Sequence, residues 1–505
     1  MSKSEGSSRR NFVKAGVGAA LAGALPGTLS ASHGETPNPG NASPKKLPRV
    51  RVHRDGHFLE GDDGSPFFWL GDTAWQLIQD CTRDECSYYL AARAQQGFNV
   101  IMTVVLAENG GMKRPSALGL LPFTDDDPRR PNEAYFDRVA EIADEAGARG
   151  LYVALVVAWG DKLTAPWGDG PRIFRNDNLG DAREYARFLA NRLRDYSNVL
   201  WILGGDRPPK ITASQVPGEN RPAEDWTPIW RAMAAGLKEG GEGTPTIVYH
   251  PAGGQSSSTY LHQETWLSMN GMQSGHGDGH DMPVWKMIAH DYNLAPPKPT
   301  LDLEPNYEDH PVNPWPRWDP ATGYFRDLDV RKQVYRSVFA GGCGVSYGHH
   351  AVWQFASKRR EVINHADRDW ISALYRPAGR QMGFLRRLME SRPFFGRIAD
   401  QGLIVSDAGE GATHLQATRD RDGSYAFLYF PTSDLRATVD MGRLKAKRLR
   451  AWWFDPRTGI ATPMDPPVPR NVVEFRSPSY GPDWVLVVED ADRGFVLPAS
   501  SRPGA

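Results

Sequence analysis

The sequence predicts a (β/α)8 barrel followed by a small antiparallel β-sandwich, and three observations carry that expectation. Eight apolar runs of strand type recur between Phe67 and Tyr347, many separated by helical patterns, and strands alternating with helices build a parallel sheet. The competing doubly wound open sheet usually advertises a nucleotide loop, yet neither G-x-G-x-x-G after a first strand nor G-x-x-x-x-G-K-[ST] is present. After Gly379 the character changes to short alternating runs such as "SYAFLYF" and "DWVLVVED", punctuated by Asp, Gly and Pro, as an antiparallel sandwich requires.

The elements follow in order. Residues 1–32 carry Ser8, Arg9, Arg10, Asn11, Phe12, Val13 and Lys14, then a Gly/Ala-rich apolar stretch ending near Ser30-Ala31-Ser32. This predicts a twin-arginine signal read by the Tat export machinery, with a periplasmic or secreted destination. The apolar stretch is shorter than the ~20 residues a stable membrane span needs. Residues 33–48, dense in Pro, Asn, Ser and Gly, predict a flexible leader. A chain of 505 residues exceeds one hydrophobic core, and the division falls into a barrel over 49–390 and a sandwich over 391–495. After a hairpin in "VRVHRDGHFLEGDDG", the barrel strands are predicted at 67–70, 100–106, 151–158, 199–203, 246–250, 266–270, 300–303 and 344–347. Helices are expected at 83–96, 132–148 and 181–196; the last repeats apolar residues at i, i+3, i+4 and i+7 and opens on Asp181, suited to cap it.

Composition excludes several functions. With 59 basic against 60 acidic residues, no basic field exists to hold nucleic acid or an anionic membrane. Sixteen Trp and 17 Tyr suit an exported protein that stacks aromatics on sugar rings, although they also serve as core. Cys81, Cys86 and Cys343 do not make an even disulfide framework; Cys81 and Cys86 either pair across a short loop or stay free. No cofactor is called for. His276, Asp278, His280 and Asp281 in "SGHGDGHD" are conceivable metal ligands, but glycine-separated polar residues in a long loop read more readily as a rim, and no metal is assigned.

In a (β/α)8 barrel the chemistry gathers where strand C-termini meet their loops. The predicted tips carry Asp72 and Trp75, then Glu108, Trp159, Asp206, His250, Gln273 with His276, Glu304 with Tyr307, and finally His349, His350 and Trp353. Strands four and seven lie across the barrel axis from one another, so Asp206 and Glu304 face each other over its mouth. Glycoside hydrolysis needs such a pair, one acid protonating the departing oxygen while the other attacks or activates water; about 5–5.5 Å between them gives retention and ~6.5–9.5 Å inversion. Gly204 and Gly205 clear the turn that lets a sugar approach Asp206, and Pro305 fixes the backbone behind Glu304. An Asp after a strand is also a common N-cap, a loop Glu a common salt-bridge partner, and Asp302, two residues before Glu304, its natural rival.

"FFWLGDTAW", "WILGGDRP", "LDLEPNYE" and "YGHHAVWQF" resemble, in order, the motifs of the apiosidase-like glycoside hydrolases, an exported bacterial family with a (β/α)8 catalytic domain and a small β-sandwich of collagen-binding type. The resemblance runs from about Val50 to Asp490. It implies Asp206 as acid/base and Glu304 as nucleophile of a retaining double displacement on an oligosaccharide or polysaccharide, and characterised relatives remove apiose from pectic side chains. Gly-Asp replaces the Asn-Glu usual at the fourth strand of the wider clan, so a shorter acid must come closer to the substrate. Asp206 is expected to be kept protonated by partial burial and by the charge of Glu304. Asp72, Glu108, His250, Gln273, His276, Tyr307, His349 and His350 are expected to bind substrate, with Trp75 and Trp353 walling the pocket. A non-catalytic carbohydrate-binding or adhesion protein is the alternative, which the presence of both acids disfavours; a peptidase finds no HExxH or GxSxG.

Overall fold

The computed structural model describes residues 46–164, 167–212, 223–469 and 471–499. The predicted signal at 1–32 and most of the leader at 33–48 lie outside them.

Eight parallel strands form the barrel: β1 (Trp69–Thr73), β2 (Val100–Val104), β3 (Tyr152–Val156), β4 (Val199–Gly204), β5 (Ile247–His250), β6 (Asn270–Gln273), β7 (Thr300–Asp302) and β8 (Gly344–Tyr347). Their hydrogen-bonded order runs β5-β4-β3-β2-β1-β8-β7-β6, with a short strand, Gln255–Ser256, antiparallel on β6. A parallel bridge from Val248 to Met269 joins β5 to β6. Side chains alternate in and out along each strand. Trp69, Val100, Met102, Ala154, Leu200, Ile202, Val248 and Leu301 fill the interior, whereas Ile101, Val153, Leu155, Trp201 and Tyr249 face the outer helices.

The sequence places seven strands within a few residues. The sixth is displaced from 266–270 to Asn270–Gln273, because Asn and Gly have poor strand propensity and the apolar residues before them read better. Gly271 is nonetheless required there: a Cβ would stand 2.5 Å from Leu303 Cδ1 and 2.5 Å from Tyr249 O. Seven longer helices surround the strands: α1 (Arg83–Gln95), α2 (Glu133–Gly147), α3 (Leu179–Arg192), α4 (Thr227–Gly240), α5 (Val284–Tyr292), α6 (Asp327–Phe339) and α7 (Pro377–Glu390). Thr82 starts α1 with a capping box, its Oγ1 accepting from Glu85 N at 3.3 Å while Thr82 N donates to Glu85 Oε2 at 2.9 Å. The expectation for α3 is corrected: it begins at Leu179 with Asn178 at the cap, and Asp181 sits inside the first turn, accepting from Asn178 Nδ2 at 2.6 Å. Cys81, Cys86 and Cys343 are buried free thiols.

The C-terminal region is the predicted antiparallel sandwich. A six-stranded sheet containing Tyr425–Phe430, Leu449–Asp455 and Trp484–Asp490 faces the two-stranded sheet Arg436–Asp440 with Val472–Arg476. Ala426, Leu428 and Phe430 join the core between the two sheets. The alternate residues Tyr425, Phe427 and Tyr429 pack with Val334, Tyr335 and Val338 of α6 and Leu385 and Leu388 of α7, so the central strands of the large sheet are buried on both faces. Within this seam Asp483 takes Arg331 Nε at 2.8 Å, Arg331 Nη2 at 2.8 Å and the Tyr429 hydroxyl at 3.0 Å, with both charged side chains buried. Removing Asp483 takes the partners of Nε and Nη2 from buried Arg331, which keeps Asp327 Oδ2 at 2.6 Å on Nη1, and also leaves the Tyr429 hydroxyl unmet. Asp483→Ala is therefore expected to cost about 3 kcal/mol, measured by urea unfolding of the whole chain; a loss below about 0.5 kcal/mol, the range of surface changes, would contradict the seam's structural role.

Candidate active site

The C-terminal ends of the barrel strands surround a cavity of about 700 Å³ into which both Asp206 and Glu304 open. The turn after β4 needs left-handed backbone at three successive residues, Gly204 (φ +95°), Gly205 (φ +99°) and Asp206 (φ +52°), conformations open to Gly and tolerated by Asp. The glycines do more than permit that path. A Cβ on Gly204 would lie 2.2 Å from His250 O, and one on Gly205 would lie 2.9 Å from the Trp159 ring. The cleared space thus belongs to the end of β5 and to Trp159, which corrects the expectation that it admits the sugar.

Asp206 Oδ2 accepts from Arg207 Nη1 at 2.9 Å and from Trp167 Nε1 at 3.4 Å. Arg207 is wholly buried, braced by Glu108 Oε1 at 2.5 Å and Trp167 O at 3.0 Å, with its guanidinium 4.3 Å from the Trp167 ring centre. The Asp206 side chain keeps 31% of its surface open to the cavity. Burial in this pocket pushes its carboxyl up, Arg207 pulls it down, and the charges of Glu304 and Glu108 raise it again, leaving it at about 6.

Glu304 stands in the opposite condition. Its Oε2 is 3.1 Å from His250 Nε2 and its Oε1 is 3.2 Å from His276 Nε2. Each imidazole also meets a backbone amide through Nδ1: Asp206 N at 3.2 Å on His250, and Tyr307 N at 3.4 Å on His276. An Nδ1 that accepts an N–H leaves the neutral ring's proton on Nε2; that of His276 is hydrogen-bonded to Glu304 Oε1, whereas His250 Nε2 lies within 3.1 Å of Oε2 without hydrogen-bond alignment. Pro251 O, 3.1 Å from His250 Nδ1, becomes a partner only if that nitrogen is protonated. Burial alone would raise Glu304, but its interactions with the His250 and His276 imidazoles outweigh it and hold the carboxyl at about 2. His310 stacks on His276 with ring centres 3.9 Å apart and fixes its plane.

Of the residues expected to bind substrate, Trp75, Glu108, Gln273, His276, Tyr307 and Trp353 line the cavity with the two acids. Gln273 Oε1 is buried without a hydrogen-bond partner among the described residues, as is Nε1 of Trp159, another lining residue. Four expectations are corrected. Asp72 lies on the outer side of β1, wholly buried, bonded to Arg93 Nε at 2.7 Å and to the Tyr89 hydroxyl. Its strand runs on through Thr73, so Asp72 shares the parity of Leu70 and turns toward α1. His250 stands behind the acids as their common support. His349 faces inward to Asp309 Oδ2 at 3.1 Å and accepts from Ala351 N at 3.0 Å, capping the short helix His350–Trp353. His350 lies behind the cavity wall rather than in it: it contacts Asn364 O at 2.8 Å and Ile363 O at 3.1 Å, two residues that line the cavity themselves.

Asp302, the rival to Glu304, is buried on Ser274, whose Oγ donates to it at 2.6 Å. Sequence reasoning missed Arg207, Trp167, His310 and Trp315. Trp167 and Trp315 are about half exposed at the cavity mouth; an aromatic in a polar loop after a barrel strand was the available signal. In "SGHGDGHD", Asp281 accepts from Lys332 at 2.6 Å and His280 lies 3.1 Å from Asp329. Among the described residues no group of three or more His, Cys, Asp or Glu converges as a metal site.

A (β/α)8 barrel whose strand ends bring two carboxyls, one raised and one lowered, over a single cavity fits glycoside hydrolysis. The chain belongs to the family described as "Apiosidase-like, catalytic domain", whose model matches residues 53–396. Residues 398–489 match a second model, "Putative collagen-binding domain of a collagenase". A crystal structure of a glycoside hydrolase family 5 protein from Bacteroides vulgatus ATCC 8482 is 30% identical, with TM-score 0.78 over 90% of this chain and 95% of that one. A second structure, titled "Glycoside hydrolase", is likewise 30% identical with TM-score 0.78, covering 89% of this chain and 98% of the other. No curated protein matches the sequence.

Proposed function

We propose that this glycoside hydrolase acts by retaining double displacement, with Asp206 as acid/base and Glu304 as nucleophile, on polysaccharide side chains of the apiosidase type. The observation that carries the reading is the divergence of two carboxyls in one cavity, one at about 6 and the other at about 2. Inversion asks the second carboxylate to take a proton from water, and a group at about 2 is a poor base for that step. The same group is well suited to attack the anomeric carbon and later to leave from the glycosyl ester. Protonated Asp206 donates to the departing oxygen; ionised Asp206 then takes the proton of the incoming water. His250 and His276 orient the Glu304 oxygens throughout.

The test is sugar release from pectic side-chain oligosaccharides, followed across pH. Activity requires Asp206 protonated and Glu304 ionised, so kcat/KM is expected to fall about tenfold per pH unit above about 6. The acid side is set by the fold before Glu304 is protonated. Burial holds His350 at about 3 against its ordinary 6.5, so the unfolded chain binds this proton first. Its stabilising contribution is complete above pH 6.5 and is lost at about 1.4 kcal/mol per pH unit as pH falls toward 3. A rate that keeps rising through pH 8 would exclude Asp206 as the acid. Export by the twin-arginine route is proposed from Arg9 and Arg10; fractionation of cells expressing an Arg9→Lys, Arg10→Lys chain should find it retained in the cytoplasm, and normal export of that variant would refute the route.

A further inference from the structure

A cleft of about 410 Å³ opens where the first turn of α7 meets the sandwich, and it shares no lining residue with the catalytic cavity. We propose that this cleft binds a carboxylated sugar chain, its arginines meeting uronate groups while Tyr375 receives the face of a sugar ring. The proposal rests on the reading of the chain as a polysaccharide hydrolase.

The lining is positively charged. Arg376 and Arg380 come from the start of α7 and Arg457 from the turn after the sandwich strand Leu449–Asp455, and among the described residues no carboxylate lines the cleft with them. Carboxylates outside the lining hold two of the three. Arg376 reaches Asp309 with Nη2 at 3.1 Å and Nε at 2.9 Å, with Glu308 Oε1 3.9 Å away, and Arg457 grips Asp455 through Nε at 2.8 Å and Nη2 at 2.9 Å. Each keeps an Nη1 that is bonded to no described residue, so both guanidinium planes are set before a ligand arrives.

Arg380 is exposed and has neither a hydrogen bond nor an ion pair among the described residues; its guanidinium lies 5.6 Å from the Phe384 ring centre. Arg387 shares that ring at 4.9 Å, and burial together with the charge of Arg380 holds its guanidinium below the ordinary value. These two charges are left uncompensated. The near-equal count of 59 basic and 60 acidic residues hides the excess, because Arg457 joins the others only when the sandwich packs on α7.

The rest of the lining selects among anions. Gln96 and Gln381 turn their amides inward, to Leu374 O at 2.7 Å, Arg93 at 2.7 Å and Arg331 at 2.6 Å, which leaves the arginines as the available donors. Tyr375 is 62% exposed, and its hydroxyl stands 2.6 Å from that of Tyr88, itself 42% exposed. An exposed aromatic beside fixed guanidinium groups suits a ligand that presents both ring faces and carboxylates, whereas a free phosphate has no use for the aromatic.

Affinity electrophoresis of the whole enzyme, in gels holding either polygalacturonate or neutral dextran, tests the proposal. Wild type should be retarded by the polyuronate and not by dextran, and the retardation should fade as salt is raised. Arg380→Glu is expected to weaken retention about tenfold and Tyr375→Ala several-fold, while Arg380→Lys keeps most of it. Unchanged retention in both Arg380→Glu and Tyr375→Ala, with melting temperatures near wild type, overturns the proposal, as does equal retardation by dextran. Phosphate that releases the enzyme where chloride of the same ionic strength does not would mark a free-anion site and overturn the sugar-chain assignment. Retention is read without turnover, so failure of the hydrolase reading shows separately, as an enzyme that releases no sugar yet is still retarded.

Discussion

Glu304→Gln is expected to lower kcat by about 10⁴-fold or more while leaving a folded protein, because among the described residues no other carboxylate stands at the two imidazole Nε2 atoms to form the glycosyl ester. The amide has nearly the shape of the carboxylate but only one acceptor oxygen. Its NH₂ group then faces one of the two imidazole N–H groups, and backbone amides on both Nδ1 atoms oppose a change of tautomer. The charge that helps to raise Asp206 also disappears, so the Asp206 carboxyl should titrate lower in this variant by NMR. In Glu304→Ala, azide entering the vacated space should restore part of the turnover as a glycosyl azide of inverted configuration. More than a tenth of wild-type kcat in Glu304→Gln would remove this residue from the mechanism.

Asp206→Asn should reduce turnover of sugar leaving groups by about 10²–10⁴-fold, the usual range for a lost general acid. Asn is the informative replacement because it tolerates the left-handed conformation at φ +52°, whereas Ala would add backbone strain to the loss of the proton. A 2,4-dinitrophenyl leaving group departs without protonation, so its first step should be nearly unaffected and a burst of dinitrophenol should precede a slow, base-deprived hydrolysis. Equal losses on both kinds of substrate would mean that Asp206 serves the fold or the binding step rather than proton transfer.

The same local rule made Asp206 and Glu304 legible and Asp72 misleading. All three follow apolar strand runs, but position after a run does not fix the direction of a side chain. For Asp72 the strand extends beyond Leu70 to Thr73, and alternation turns the carboxylate outward to Arg93. For Asp206 the left-handed turn breaks that alternation and swings the residue over the mouth. His250, the last residue of β5, was readable as polar and near the site, but its task of joining the Asp206 backbone to the Glu304 carboxylate arises only when β4, β5 and β7 are brought together. His349 and His350 look like a ligand pair in sequence, yet a cap and two loop carbonyls claim them. Arg207 was hidden because an arginine before two prolines reads as a surface turn, and its burial depends on Glu108, 99 positions earlier. Seven of the eight strands were readable because parallel barrel strands are apolar on both faces; the sixth was not, because its glycine answers to close packing with Leu303 and Tyr249.

The anomeric configuration of the first-formed product, followed by NMR before mutarotation, tests the paired roles of Asp206 and Glu304 most directly. Two successive displacements through a Glu304 ester give a product with the substrate's own configuration. A product that first appears with the opposite configuration would contradict the account, since it would require water, rather than Glu304, to attack the anomeric carbon.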